Sequence, residues 1–333
     1  MRKSPFFLRV VLSLTVVVFC SIAVLAQSHT VAVTIDDLPF VGSDASPKEL
    51  AGKVAEAQVA NRKLLAGLAR HHVPVTGFVI QKGVEDLGVA AGTGILREWI
   101  RGGLDLANHS YAHPDFNGLT IAEGEDQIVR GEAGFLPLMQ EVGRSPRFFR
   151  FPMNHTGDTK EKHEAWAAFL TQRGFQPATC TIETADWMFN IAYGKMLAHH
   201  DKASAARLRK DYLAFAAAQV DYFDRLNKQV LGYDAPQVML IHDDQLNADV
   251  IDQVLAILES RHYRFVTLTE AQSDKAYQGP ESFVTNYGPM WAYRWARERG
   301  VKVDGSLEPE PPKWIVEYGQ KTAPTARRPR SQF

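Results

Sequence analysis

The sequence predicts an α/β fold in which parallel strands alternate with helices, and it favours a closed or nearly closed barrel. Short apolar runs alternate with runs of helical periodicity from residue 31 to residue 267, and no signal of a long antiparallel hairpin interrupts them. Right-handed crossovers then place the helices outside a parallel sheet. Seven strands suit a barrel, although periodicity alone leaves an open sheet with helices on both faces as the alternative.

The strand predictions rest on apolar runs that end at a polar residue, a glycine or a proline. They cover residues 31–35, 73–80, 104–108, 147–151, 176–183, 238–241 and 263–267. The helix predictions rest on apolar residues spaced three and four apart between recognisable ends, such as the capping box formed by Thr120 and Glu123. They cover residues 47–71, 94–101, 120–141, 159–173, 203–227, 248–261 and 287–299.

The N-terminus has the features of a secretory signal. Two basic residues precede the mostly apolar run 6–25, and small residues lead up to Ala26, which predicts a signal peptide over residues 1–26 that is cleaved before Gln27. An uncleaved membrane anchor is the alternative, but the apolar run after Arg9 is barely long enough to span a bilayer. We therefore expect a periplasmic or secreted protein with no stable membrane span after cleavage.

The rest of the chain divides by composition. We expect one large domain over residues 27–275, a C-terminal helical extension over 276–312 and a disordered tail over 313–333, which a proline-rich stretch introduces. Removal of Cys20 with the signal leaves Cys180 alone, so no intrachain disulfide can form. The net charge of −1 gives no indication of a nucleic-acid partner.

Histidines and acids stand at the ends of three separate predicted strands. His109 and His113 follow the third strand, Asp36 and Asp37 follow the first, and His242 follows the sixth. If the two neighbouring histidines lie on one helical turn, their spacing of four puts both imidazoles on the same side. Active sites of α/β barrels collect at the carboxyl ends of the strands, so these residues are expected to form one site.

The residue types indicate metal-assisted hydrolysis. A carboxylate from Asp37 and two imidazoles from His109 and His113 can bind a divalent first-row metal and leave positions open for water and substrate. We expect Zn²⁺, with Co²⁺, Ni²⁺ or Mn²⁺ as alternatives. Asp36 could accept a proton from the attacking water, and His242 could protonate a leaving nitrogen. These groups suffice to hydrolyse an amide or an ester.

Five short motifs then resemble those of the polysaccharide deacetylases that carry a NodB homology domain, also called carbohydrate esterase family 4. They read Thr-Ile-Asp-Asp at 34–37, His-Ser-Tyr-Ala-His-Pro at 109–114, Arg-Phe-Pro at 150–152, Asp-Trp at 186–187 and Leu-Ile-His at 240–242. Their order and spacing agree with the family over about residues 30–270. Five motifs in order are specific, whereas any one of them alone is not.

The resemblance implies a distorted (β/α)7 barrel and removal of N-acetyl groups from a glycan by metal-dependent hydrolysis. It implies that Asp36 is the general base and His242 the general acid, and that Asp37, His109 and His113 bind the metal. Two supporting roles follow from the same motifs: Arg150 orients Asp36, and Asp186 tunes His242. The remaining motif residues are expected at the substrate, namely Trp187, Pro152, Tyr111 and Leu240.

Two departures from the family pattern leave alternatives open. Leu38 and Pro39 follow the paired aspartates where the family usually has glycine, and Asn154 also replaces a glycine. Both changes affect the expected substrate groove more than the expected metal site. The alternatives are an O-acetyl esterase or another non-peptide amidase on the same barrel, and a carbohydrate-binding protein without activity. Asp243, Asp244 and the histidines outside the motifs are expected at the surface.

The signal prediction can be tested on the exported protein. Because the cleavage pattern ends at Ala26, mass spectrometry of the purified mature protein should find Gln27 at its N-terminus. Recovery of the intact N-terminus from the inner membrane would instead identify an anchor.

Overall fold

The computed structural model describes residues 29–42, 46–279 and 281–320. The predicted signal peptide over 1–26 and the part of the predicted tail from residue 321 lie outside these residues.

A sheet of eight parallel strands forms the centre of the fold. The strands are β1 (Thr30–Leu38), β2 (Thr76–Val79), β3 (Asp105–Asn108), β4 (Phe148–Phe149), β5 (Gln176–Pro177), β6 (Ile182–Glu183), β7 (Gln237–His242) and β8 (Arg264–Phe265). Their order is β5-β4-β3-β2-β1-β7-β6, and β8 pairs with the first residues of β1. The predicted distorted (β/α)7 barrel is confirmed, with β1 at its centre.

One segment of the chain supplies both edges of this sheet. The strand predicted over residues 176–183 is divided, so that β5 pairs with β4 at one edge while β6 pairs with β7 at the other. Residues 178–181, which connect β5 to β6, run from one edge of the sheet to the other and belong to no strand. The barrel is therefore curled and incompletely closed.

Helices cover the outside of the sheet. They are α1 (Leu50–Arg70), α2 (Gln81–Asp86), α3 (Val89–Arg101), α4 (Ile121–Gly131), α5 (Leu136–Glu141), α6 (Lys160–Gln172), α7 (Asp186–Ala198), α8 (Lys202–Leu231), α9 (Gln245–Glu259), α10 (Leu268–Ala271), α11 (Trp291–Glu298) and α12 (Lys313–Gln320). None of the helices in the described ranges is both long enough and apolar enough to cross a bilayer.

Some of the helix predictions are confirmed, one predicted helix is divided in two, and one helix was not predicted. The capping box of Thr120 and Glu123 is confirmed at the start of α4. The helix predicted over 120–141 is nevertheless two helices, because the chain between them passes very close to α2: a Cβ on Gly134 would lie 2.3 Å from the Gln81 side-chain oxygen. Helix α7 was missed because its apolar residues lie on all sides, with no single stripe to recognise.

The prediction of disorder from residue 313 is wrong for residues 313–320, which form α12. Ile315 is fully buried, and Trp314 donates a hydrogen bond from Nε1 to Asp211 Oδ2 of α8 at 3.0 Å. This short helix packs mainly on α7, itself missing from the prediction. Composition alone could not reveal that docking surface.

The C-terminal extension packs against the incompletely closed side of the barrel. Trp291 donates a backbone hydrogen bond to Cys180 O in the segment that joins β5 to β6, at 3.4 Å. Trp291 and Trp295 are both buried, which confirms the helix predicted to pack on the barrel. From the same helix, the buried guanidinium of Arg294 donates to Asn154 O, in the loop after β4, at 2.5 Å. The extension thus supports a loop that leads out of the site.

Gly288 offers a test of this contact. A Cβ at this position would lie 1.8 Å from Met153 O, so Gly288→Ala must push the extension away from the loop after β4. Overpacking of this kind typically costs about 1–3 kcal/mol, and urea unfolding should show a loss of that size. Gly279→Ala is the control, since nothing lies within 4 Å of its added Cβ. Equal stability of the two variants would show that the contact is not restrictive.

Candidate active site

Polar side chains from separate strands meet at the carboxyl ends of the sheet. Asp36 in β1 lies opposite His242 of β7 in the strand register. Pairing of β3 with β4 brings Arg150 beside His109, because Arg150 N donates to the carbonyl of the residue that precedes His109, at 3.0 Å. The parallel arrangement therefore gathers the motif residues at one end of the barrel, as the sequence predicted.

Asp37, His109 and His113 direct three ligand atoms toward one point. Asp37 Oδ1 lies 3.4 Å from His109 Nε2 and 3.6 Å from His113 Nε2. Ligands held about 2.1 Å from a tetrahedral zinc ion lie about 3.4 Å from one another, so this spacing fits such an ion. Asp37 Oδ1 is buried and accepts no hydrogen bond from the described residues. Burial of a carboxylate oxygen without a hydrogen bond destabilises the folded protein unless a cation binds to that oxygen. The three side chains of this triad therefore fit a metal ion.

The pKa shifts of Asp37 and His113 also suit metal binding. Burial by itself raises the pKa of Asp37, but His113, His109 and His242 outweigh it and hold that pKa well below its ordinary range. Burial lowers the pKa of His113, with Asp37 opposing. An anionic carboxylate beside a neutral imidazole is the form in which both groups bind a metal.

The histidine loop is not a helical turn, so helical spacing is not what brings its two imidazoles together. Ser110 and His113 have left-handed backbone angles, with φ of 74° and 54°, and no helix covers them. Asn108 Oδ1 accepts from Ser110 N at 2.8 Å, and Ser110 Oγ accepts from His113 N at 3.0 Å. These bonds close a tight turn that brings both imidazoles to one side. His109 Nδ1 donates to Arg150 O at 2.8 Å, which leaves its Nε2 to face Asp37.

Tyr111 lies on the outer side of this loop. Its hydroxyl donates to Glu85 Oε2 at 2.9 Å, and Arg130 lies over its ring at 3.5 Å. Both ends of the side chain are therefore engaged by helices α2 and α4. These contacts hold the loop in place and favour a supporting role for Tyr111 over the predicted contact with substrate.

Asp36 and Arg150 form a buried ion pair next to the triad. Arg150 Nη1 donates to Asp36 Oδ1 and to Thr34 Oγ1, each at 2.7 Å. The second carboxylate oxygen, Asp36 Oδ2, lies 3.6 Å from His109 Nε2. Both side chains are almost wholly enclosed. Arg150 thus holds one oxygen of Asp36 and leaves the other facing the triad.

His242 is held by the carboxylate of Asp186. His242 Nδ1 donates to Asp186 Oδ1 at 2.8 Å, and its backbone N–H donates to Asp186 Oδ2 at 2.6 Å. Burial by itself lowers the pKa of His242, but Asp186 outweighs it and raises the pKa well above its ordinary value. Asp186 therefore favours the protonated imidazole, and Nε2 takes no part in this bond.

The other predicted substrate residues differ in exposure. Trp187, beside Asp186, is 37% exposed, whereas Leu240 is only 6% exposed and lies within β7. Pro152 is buried and opens a single 3-10 turn after β4. Asn154 in that turn is left-handed, with φ of 57°, and asparagine tolerates this conformation better than most residues do. The replacement of the family glycine therefore keeps a glycine-like backbone.

Several buried polar groups were not predicted to be buried. Asp243 and Asp244 were expected at the surface, yet both are completely buried, and burial raises their pKa well above the ordinary value. His163 is also buried and lies between two backbone carbonyls. Asn247 and Tyr212, both fully buried, connect to Asp186. Neither has a motif or a periodic signal, so the sequence alone gave no reason to select them.

Comparison with known proteins agrees with the motifs. Residues 25–168 match the sequence model of the family described as polysaccharide deacetylase. A peptidoglycan-N-acetylglucosamine deacetylase of Bacillus cereus is 24% identical over 267 residues, which cover 74% of this chain and 81% of that protein. Both matches are to polysaccharide deacetylases, the family that the five motifs resemble.

Solved structures give weaker likenesses to this chain. A pseudoenzyme of carbohydrate esterase family 4 from Bacillus anthracis is 16% identical with a TM-score of 0.47, and covers 74% of this chain and 66% of its own. A family 4 carbohydrate esterase from Streptomyces lividans, in complex with acetate, is 17% identical with a TM-score of 0.45, and covers 73% and 95%. At TM-scores below 0.5 these likenesses add nothing to the fold described above.

The protonation of His242 can be measured without turnover. In chelator-treated protein, an NMR titration should find the imidazole protonated through neutral pH, because Asp186 favours the cation. Asp186→Asn removes the negative charge that opposes the effect of burial. The pKa of His242 should therefore fall toward or below its ordinary value of about 6.5. His242→Gln assigns the resonance. An unchanged titration in Asp186→Asn would exclude Asp186 as the group that holds this proton.

Proposed function

We propose that this protein is a metal-dependent hydrolase that removes N-acetyl groups from a glycan. One observation carries the proposal: three side chains that could hold a metal ion lie beside two buried pairs. One pair is a carboxylate held by an arginine, and the other is an imidazole held by a carboxylate. Amide hydrolysis needs a proton acceptor for the attacking water and a proton donor for the leaving nitrogen. The site has one candidate for each.

The metal would be held by Asp37, His109 and His113. Zn²⁺ is the expected ion because carboxylate and imidazole ligands suit it, with Co²⁺, Ni²⁺ or Mn²⁺ as alternatives. When bound, such an ion polarises a carbonyl group and makes water a stronger acid.

Asp36 would act as the general base. Its Oδ1 is held by Arg150, so Oδ2 can take the proton of the attacking water while the arginine keeps the carboxylate in place. His242 would act as the general acid: its Nδ1–H stays on Asp186, and its Nε2–H passes to the nitrogen as the C–N bond of the acetamide breaks. The products are acetate and a free amine.

Two observations support the proposed substrate class: the resemblance to the polysaccharide deacetylases and the name of one relative. That relative is named for action on the N-acetylglucosamine of peptidoglycan, and Trp187 offers a partly exposed aromatic face beside the acid. Such faces suit sugar rings. We propose an N-acetylated glycan outside the cytoplasm, which agrees with the predicted signal peptide.

Two neighbouring aspartates give the sharpest test. Asp36→Asn should keep about one divalent ion per chain and lose activity by about 10²–10⁴-fold, because only the base is removed. Asp37→Asn and His113→Ala should lose most of the ion, since two ligands bind it far more weakly than three. Metal content by mass spectrometry and acetate release from acetylated glycans, with and without chelator, measure both effects.

Each outcome has a clear reading. If Asp36→Asn released acetate as fast as the wild type, Asp36 would not be the base. Full metal content in His113→Ala would show that His113 is not a metal ligand. A wild type that bound glycan but released no acetate from any amide or ester would be a binding protein, and release from esters alone would identify an esterase.

A further inference from the structure

We propose that Asn247, supported by Tyr212 of α8, is a positioning residue for His242. The inference rests on the proposed function, because it concerns how the proton donor of that reaction is held. The carboxylate of Asp186, which holds His242, accepts a hydrogen bond at each of its lone-pair directions.

Asp186 accepts four hydrogen bonds. Oδ1 takes the backbone N–H of Trp187 at 2.9 Å and His242 Nδ1 at 2.8 Å. Oδ2 takes the backbone N–H of His242 at 2.6 Å and Asn247 Nδ2 at 2.5 Å. A carboxylate offers about four lone-pair directions, so none is left for water. The carboxylate cannot rotate without breaking a bond, and the imidazole it holds is fixed with it.

Asn247 supplies the one donor in this set that belongs to neither His242 nor the backbone. The same Nδ2 also donates to His242 O at 3.0 Å, and the Asn247 backbone N–H donates to Asp244 Oδ1 at 2.7 Å. Asn247 is fully buried at the start of α9. Its side chain therefore ties the carboxylate of Asp186 and the main chain of His242 to one helix.

Tyr212 determines which way the amide of Asn247 points. The Tyr212 hydroxyl donates to Asn247 Oδ1 at 2.9 Å, and it lies 3.1 Å from Thr184 Oγ1, which can donate to it. With its oxygen engaged in this way, the amide must turn its NH₂ group toward Asp186. Donors then run in one direction from Thr184 to Asp186, and hydrogen bonds in such a chain strengthen one another.

The long helix α8 therefore has a role in the site. It lies between the fourth and fifth motifs. The length of this segment by itself indicates only that it covers one side of the barrel. Through Tyr212 it reaches the group that orients the candidate acid. A merely structural network would affect every reaction of the enzyme equally, whereas a positioning network affects only the step that needs the proton.

The test compares two leaving groups in two variants. Tyr212→Phe removes one hydroxyl, and Asn247→Leu removes the amide at similar volume. On the N-acetylated oligosaccharide that the wild type cleaves best, kcat should fall about 3- to 10-fold for Tyr212→Phe and about 10- to 100-fold for Asn247→Leu, with KM unchanged. On 4-nitrophenyl acetate, whose leaving group needs no proton, both variants should match the wild type.

Tyr222→Phe is the matched control. Tyr222 also lies buried on α8, and its hydroxyl is 2.7 Å from that of Tyr293, away from Asp186. This variant should leave both reactions unchanged. Equal losses on amide and ester in Tyr212→Phe or Asn247→Leu would make the network structural and overturn the proposal. If Asn247→Leu fails to fold, Tyr212→Phe decides alone.

A second measurement needs no activity. The proton on His242 Nδ1, shared with Asp186, should give a downfield ¹H resonance that moves upfield and exchanges faster in Tyr212→Phe and Asn247→Leu but not in Tyr222→Phe. An unchanged resonance in both variants would overturn the proposal. If the resonance moves as expected while the wild type cleaves no substrate, the positioning role stands and the proposed function fails.

Discussion

The buried positive charge of Arg150 constrains more of this structure than any other single group. A guanidinium enclosed in a barrel costs several kcal/mol unless its donors are satisfied. Its partners come from two segments: Asp36 and Thr34 in β1, and the carbonyls of Ala178 and Thr179 at 3.5 and 3.2 Å. Those carbonyls lie where the edge strand is interrupted, so they are free of ladder bonds. The break that leaves the barrel incompletely closed is thus the feature that lets Arg150 hold the candidate base.

The site is also a place of backbone strain. Asp37, Ser110 and His113 all have positive φ, which costs on the order of 1–3 kcal/mol for each such residue. Side-chain bonds from Asn108 and Ser110 offset part of this cost within the loop. The strained angles are what turn Asp37 away from the alternation of β1 and toward the two histidines. Convergence of the ligand atoms therefore depends on the loop backbone as much as on ligand identity.

Segments outside the barrel contribute to the site through long-range contacts. The C-terminal extension fixes the loop after β4 with Arg294, and helix α8 reaches Asp186 through Tyr212 and Asn247. Each connection is made by buried polar groups. The loop after β4 and the carboxylate of Asp186 are thus each held by a segment outside the strands of the barrel.

The sequence by itself determined the alternation of strands with helices. It also selected the residues that meet at the candidate metal site and in the two pairs that flank it. It could do so because parallel strands bring their carboxyl ends to a common edge, which makes residues at strand ends neighbours whatever their separation. Only the tertiary structure decided the divided strand over 176–183, the left-handed histidine loop, the docking of α12 and the burial of Asp243. It also decided the contact of Asn247 with Asp186, which lie 61 residues apart. These features arise from contacts between distant segments, and such contacts leave no periodicity or spacing in the chain.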